Sequence, residues 1–250
     1  MLKRNMILLF AFAAIAGSIN AQIRPGIKLG YNLSGVMANY LGESSPEVLK
    51  LTAGDPGNFR MKSGFQGGFI ADCPISDALA VQPGVRFVMQ GFSDRYRSGA
   101  TNGPEVTRNF SLYSIQVPVY VQYRLNVYEE TNVLFQAGPY GGIGLFGRQA
   151  INSSKTKFGS GDDKYKKISF GNGTKYDIQE LFDYGISAGV GIEYRKFQLV
   201  ATYDFGINQA TFKKDAKSGK YNIDMRNHNL SISLAYIFGR RDPLQNKKDQ

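Results

Sequence analysis

The chain has 250 residues, 42% hydrophobic and 20% charged, with a formal net charge of +10, a balance ordinary for one large β unit or two small ones. A single Cys, Cys73, excludes an internal disulfide, and with a single His, His228, it cannot make a structural zinc site. The 29 Gly, 15 Tyr and 17 Phe, with no Trp, favour tightly packed strands over helices.

The N-terminus carries the features of a secretory signal peptide. Lys3 and Arg4 form a positive start, Met6 to Ala16 is a short apolar run, and Gly17, Ser18 and Ala21 are small residues near a cleavage site. The spacing predicts a signal over 1–21 with Gln22 opening the mature chain, and no Cys follows the apolar run to carry a lipid anchor. Loss of Lys3 and Arg4 lowers the formal charge from +10 to +8. Beyond residue 22 no apolar run reaches the roughly 18 residues of a spanning helix, so membrane insertion has to use strands.

From there the chain alternates apolar and polar residues in segment after segment, the period of a strand with two unlike faces. Ile23, Pro25, Ile27, Leu29, Tyr31 and Leu33 alternate with Arg24, Gly26, Lys28, Gly30, Asn32 and Ser34. Phe65 to Cys73 repeats the pattern more weakly. Leu79 to Met89 alternates with Ala80, Gln82, Gly84, Arg86, Val88 and Gln90. Tyr113 to Tyr123 alternates with Ser114, Gln116, Pro118, Tyr120, Gln122 and Arg124. Val133 to Gly147 is Gly-rich and less regular. Tyr184, Ile186, Ala188, Val190, Ile192 and Tyr194 alternate with Asp183, Gly185, Ser187, Gly189, Gly191 and Glu193. Phe197 to Phe205 and Leu230 to Phe238 complete about eight strands. The expected architecture is all-β, an up-and-down antiparallel transmembrane barrel over 22–239, followed by a polar tail over 240–250.

Long connections over roughly 37–60, 92–109, 148–180 and 207–227 alternate with short turns over 74–78, 126–131 and 195–196. In a meander this places every long loop at one end and both termini at the other, the asymmetry of outer-membrane barrels with external loops and periplasmic turns.

Alternation does not say which face points inward, and a soluble ligand-holding barrel would invert it. Two features turn the apolar face outward. Small residues Gly185, Ser187, Gly189 and Gly191 suit a crowded lumen. Tyr184 with Tyr194, and Tyr113 with Tyr123, bracket aliphatic runs at ten-residue spacing. At a tilt near 40° that spacing spans roughly 25 Å, the height of a lipid-facing band. The lumen then carries Arg24, Lys28, Arg86, Arg124, Asp183, Glu193 and Asp204. Charges of both signs in a narrow interior have to pair, which predicts a salt-bridge plug.

Catalytic, cofactor and metal signals are absent. Strand parity places His228 beside Leu230 on the outward face, an interfacial residue rather than a general base. Cys73 reads as a small hydrophobe on the apolar face. Asp162 and Asp163 lack the ligand ladder of a calcium loop, and Gly138 to Gly147 has no helix after it to make a phosphate cradle. No catalytic, cofactor-binding or metal residue is therefore assigned. The loop lysines Lys155, Lys157, Lys164, Lys166, Lys167 and Lys175, and Lys213, Lys214, Lys217 and Lys220, read first as solvated surface, with anionic lipopolysaccharide as the partner they could meet. Nucleic acid is not expected for an exported chain.

Four motifs in order, Ile115 to Arg124 (IQVPVYVQYR), Gln136 to Gly142 (QAGPYGG), Asp183 to Tyr194 (DYGISAGVGIEY) and Ala201 to Asn208 (ATYDFGIN), resemble the PorT-like outer-membrane β-barrel proteins of Bacteroidetes across nearly the whole mature chain. The resemblance implies an outer-membrane barrel and, for the namesake, association with a secretion system; it carries over no catalytic residue. The expected function is a non-enzymatic barrel whose external loops or periplasmic rim bind a protein partner. The alternatives are a narrow small-solute channel or transporter, and a soluble ligand-binding barrel.

Overall fold

The computed structural model describes residues 23–40, 60–97, 105–153, 165–168, 182–208, 210–212 and 223–239. The segment expected to be a signal peptide, the expected tail over 240–250 and most loop lysines lie outside the described residues.

Eight long antiparallel strands close into one barrel. They are β1 (Arg24–Tyr40), β2 (Arg60–Pro74), β3 (Leu79–Arg97), β4 (Glu105–Tyr128), β5 (Thr131–Ser153), β7 (Phe182–Tyr194), β8 (Phe197–Gly206) and β10 (Ile223–Ile237). Each pairs with its neighbour in the chain, and β10 returns to pair with β1. Two short pieces, β6 (Tyr165–Ile168) on β5 and β9 (Ala210–Phe212) on β10, extend the wall at the long-loop end. No helix among the described residues is long and apolar enough to cross a membrane.

The registers fix the barrel's shape. A row starting at Ser114 on β4 passes through Val88, Gln66, Gly30, Ser233, Val200, Gly191 and Leu134 and returns to β4 at Arg124. The row closes ten residues further along (124 − 114). For eight strands that shear corresponds to a tilt of about 40° and a lumen that side chains can fill.

The apolar face points outward. Leu29, Phe69, Val121, Ile186, Val190, Ile192, Leu199 and Ile232 are all exposed, whereas Asn32, Asp72, Gln82, Gln116, Gln122 and Ser187 are fully buried. In water this would be an inverted protein; in lipid it is the stable arrangement, because closure leaves no unpaired edge. Aromatic side chains gather at the two ends. Tyr113 stacks on Phe87 and on Phe146 toward the loop end. At the turn end Tyr236 packs between Phe197 and Phe238, each 5.1 Å between centroids.

Two sequence expectations are corrected. The connection expected over 92–109 is mostly strand, since β3 runs to Arg97 and β4 starts at Glu105, paired throughout. Similarly β5 extends to Ser153 and β1 to Tyr40. Backbone pairing outlasts the lipid-facing alternation here, and Phe92 stacks on Phe110 at 4.5 Å inside this extension. Strand length past the membrane is set by pairing rather than by an apolar stripe, so hydropathy alone understates it.

The wall is interrupted at prolines. Pairing skips 71–72 against 82–83, 84–85 against 117–118, and 119–120 against 138–139, beside Pro83, Pro118 and Pro139. Proline has no N–H for the ladder, and these three sit at one level on adjacent strands.

Candidate functional site

Among the described residues polar side chains concentrate in the lumen, which is layered from the turn end to the loop end. At the turn end, strand parity brings Arg24 of β1, Asp72 of β2, Arg124 of β4 and Glu193 of β7 to the axis. Asp72 sits between two guanidiniums: Arg124 Nη2 donates to its Oδ1 at 2.5 Å and Arg24 Nη2 to its Oδ2. Arg124 Nε donates to Glu193 Oε2 at 3.2 Å, and Glu193 also accepts from Gln198 at 2.6 Å and Asn132 at 3.1 Å. Two cations and two carboxylates thus neutralise each other across four strands. Planar guanidinium suits this bridging, since its donors fan out toward several oxygens at once.

Above this tier lies a belt of amides. Gln82 and Gln122 form a reciprocal pair at 3.1 and 3.5 Å. Gln82 also donates to Gln198 at 3.2 Å, and Gln122 to Gln136 at 3.1 Å, which passes on to Thr202 Oγ1 at 3.0 Å. Each amide both donates and accepts, so a chain of them crosses the lumen without net charge.

The middle tier centres on Arg86 and Asp204. Arg86 Nη2 donates to Asp204 Oδ2 at 2.8 Å, Nε to Gln116 Oε1 at 3.0 Å, and Nη1 to Gln66 Oε1 at 3.3 Å and to the Tyr120 hydroxyl at 3.4 Å. Asp204 also accepts from Ser187 at 2.6 Å and Asn229 at 3.0 Å. Gln116 donates to Asp183 at 3.4 Å. A cavity of about 20 Å³ lies here, lined on its polar side by Lys28, Gln66, Gln82, Arg86 and Tyr120.

Toward the loop end, Asn32 donates to Asn229 and to the Met89 carbonyl, both at 3.0 Å. The second bond crosses from β1 to β3 where the β2–β3 register shifts between Met61 and Gln66. Gly64 permits this crossing, since a Cβ there would meet Met89 O at 2.0 Å.

All seven lumen charges expected from the sequence point inward, and six take ionic or hydrogen-bonded partners. Lys28 departs from the expectation that every lumen charge pairs: its ammonium lies 5.4 Å from the Tyr120 ring, with no ion pair or hydrogen bond among the described residues. Its ladder neighbours Gly68 and Ala235 carry no carboxylate, and Asp204 acts on it through space without forming an ion pair. The plug is also more amide than salt bridge. Asp72, its central carboxylate, was absent from the expected set, although the parity that places Cys73 outward also places Asp72 inward. Tyr140, buried over Arg86 at 5.9 Å, was hidden by the irregular Gly-rich segment.

Outside the lumen, Cys73 is half-buried on the outward face and its thiol points to the Ala71 carbonyl. His228 packs against Tyr203 at 6.3 Å between centroids and takes no hydrogen bond among the described residues. No group of three or more His, Cys, Asp or Glu that could hold a metal occurs among the described residues. Lys166 and Lys167 fall on β6.

A closed eight-strand barrel with an apolar exterior, aromatic ends and a hydrogen-bonded polar interior defines an integral outer-membrane barrel. The chain belongs to the family described as outer membrane protein beta-barrel domain, whose model matches residues 16–211. This places it in the cell outer membrane. Comparison with curated proteins found no match. Among solved structures it is similar to Ail, the attachment invasion locus protein of Yersinia pestis, in complex with the heparin analogue sucrose octasulfate (12% identity, 87% of this chain and 99% of that one, TM-score 0.36). It is also similar to OprG from Pseudomonas aeruginosa (11% identity, 88% and 98%, TM-score 0.39) and to the outer membrane protease OmpT from Escherichia coli (11% identity, 88% and 98%, TM-score 0.41).

Proposed function

We propose that this barrel is a closed, non-enzymatic interaction protein of the outer membrane, acting through its external loops or periplasmic rim. The observation that carries this reading is the neutral Arg24–Asp72–Arg124–Glu193 cluster, which fills the turn end of the lumen with buried, mutually bonded side chains. A solute path would have to break several charge-assisted bonds at once. The non-catalytic part of the reading is supported by His228, which faces outward without an acid in hydrogen-bond reach among the described residues. The resemblance to PorT-like proteins supports a protein partner and a secretion-associated version of the role, and the basic loops suit contact with anionic lipopolysaccharide.

Purified, refolded protein in planar bilayers is expected to show no stepwise conductance. Stable, reproducible channel events would replace this reading with a small-solute channel. Cross-linking in intact outer membranes followed by pull-down is expected to recover a discrete protein partner; recovery of lipid and lipopolysaccharide alone would remove the partner from the proposal.

A further inference from the structure

We infer that Lys62, Arg148 and Lys167 form a phosphate site on the outer wall of the barrel, occupied by lipid A, the phosphorylated glycolipid of the outer leaflet. The site rests on the lipopolysaccharide contact proposed above and assigns it to a patch of the strand wall rather than to the loops.

The patch lies just above the aromatic band at the loop end. Phe87, Tyr113 and Phe146 stack there on the outward face. Two positions beyond Phe146 on β5, the period of two brings Arg148 to that same face. Arg148 and Lys167 are both exposed, while Gly147 and Ile168 beside them are buried. At about 3.3 Å per residue and the tilt of the wall, Arg148 stands roughly 5 Å farther out than the rings. Interfacial aromatics mark the edge of the hydrocarbon, so this is the level of the lipid headgroups.

Strand pairing brings the cations together. Arg148 lies directly opposite Lys167 on β6 and opposite Ser111 on β4. The Ser111 hydroxyl accepts from Lys62 Nζ at 2.5 Å. Lys62 reaches it over Gly91 of β3, where a Cβ would lie 3.1 Å from Lys62 Cδ. Like charges directly opposite each other destabilise a ladder. No Asp or Glu occurs within two positions of Lys62, Gly91, Ser111, Arg148 or Lys167 in the chain. A phosphate shared by the three side chains offsets their repulsion, with the Arg148 guanidinium as a planar fork and the lysines as point charges. The barrel's short turns at the other end differ: Asp77, Glu129 and Glu130 there face Arg195 and Lys196, with no cationic surplus. A cationic patch on one rim fits a bilayer whose outer leaflet carries the phosphorylated glycolipid.

The test uses full-length protein refolded in detergent, titrated with diphosphoryl lipid A and read by native mass spectrometry. Wild-type protein is expected to retain lipid A and to bind the dephosphorylated glycolipid more weakly. Arg148→Gln and Lys167→Gln should each lower the affinity about fivefold, the contribution of one cation at an anionic lipid surface. Lys196→Gln, in a turn at the opposite end, should leave it unchanged. Lys167 is exposed on a four-residue strand, so its variant carries the test if Arg148→Gln does not refold. Equal binding of the two glycolipids, displacement by inorganic phosphate at equal concentration, or unchanged affinity in the variants overturns the site. Unchanged affinity in the variants alone leaves lipopolysaccharide contact in place through other residues, whereas no lipid A binding by wild-type protein removes both. Conductance and partner pull-down do not enter these readouts.

Discussion

At the residue scale the molecule turns on a few buried ionic atoms. Asp72 is fully buried between Arg24 and Arg124, so replacing it leaves two guanidiniums without their shared carboxylate. Breaking such a pair costs about 3–5 kcal/mol, because the surviving charge stays buried. Asp72→Asn is therefore expected to lower the urea midpoint of the refolded protein strongly, followed by far-UV circular dichroism since the chain lacks Trp. Arg195→Ala is the control. Its pair with Glu130 joins two neighbouring turns, both side chains more than half exposed, and water screens it. No change in midpoint is expected there. An equal response of the two variants would contradict the buried-cluster assignment. Parity in the sequence was enough to put seven of the cluster and mid-lumen charges in the right place, with Asp72 the one it left out. It could not tell which would meet, because Asp72 and Arg124 are 52 positions apart and meet only after the barrel closes.

At the element scale the strands depend on close packing across the ladder and on which face meets lipid. Gly185 is inward, and a Cβ there would lie 2.1 Å from Phe205 O and 2.7 Å from the Tyr140 ring. Gly141 is outward, with nothing within 4 Å of that position. Gly185→Val is expected to yield no folded, heat-modifiable band. Gly141→Ala is expected to fold and gain about 0.4–1 kcal/mol from the restricted unfolded chain. Parity places Gly185 inward, and the clash that forbids a side chain there comes from cross-strand neighbours that the sequence does not show. On the lipid face, Val190 lies midway between Tyr184 and Tyr194 on β7. Val190→Arg should cost about 2–4 kcal/mol and Tyr194→Arg about 0–1 kcal/mol in refolding titrations into bilayers. Equal costs would mean that the ten-residue aromatic bracket does not mark the membrane band.

At the scale of the whole molecule, closure is the decisive event. Eight strands with a shear of ten place a ring of side chains too wide to leave a pore and too polar to collapse as an oily core. The glutamine belt and the Arg–carboxylate clusters bond most of that interior, leaving Arg24 Nε and Arg124 Nη1 without a partner among the described residues, and the exterior is left to lipid.

The amino-acid order by itself determined the strands, their inward and outward faces, the alternation of long loops with short turns, and the lumen position of the charges. These follow from a period of two and from turn chemistry, which are local properties. The tertiary structure decided the shear, the partners of each lumen group, the extension of β3 and β4 past the lipid band, and the solitary state of Lys28. Those depend on register between strands distant in the chain, where a shift of one residue reverses every side chain. A plug of paired charges was legible as a requirement; which charge would go without a partner was set only by the geometry of closure.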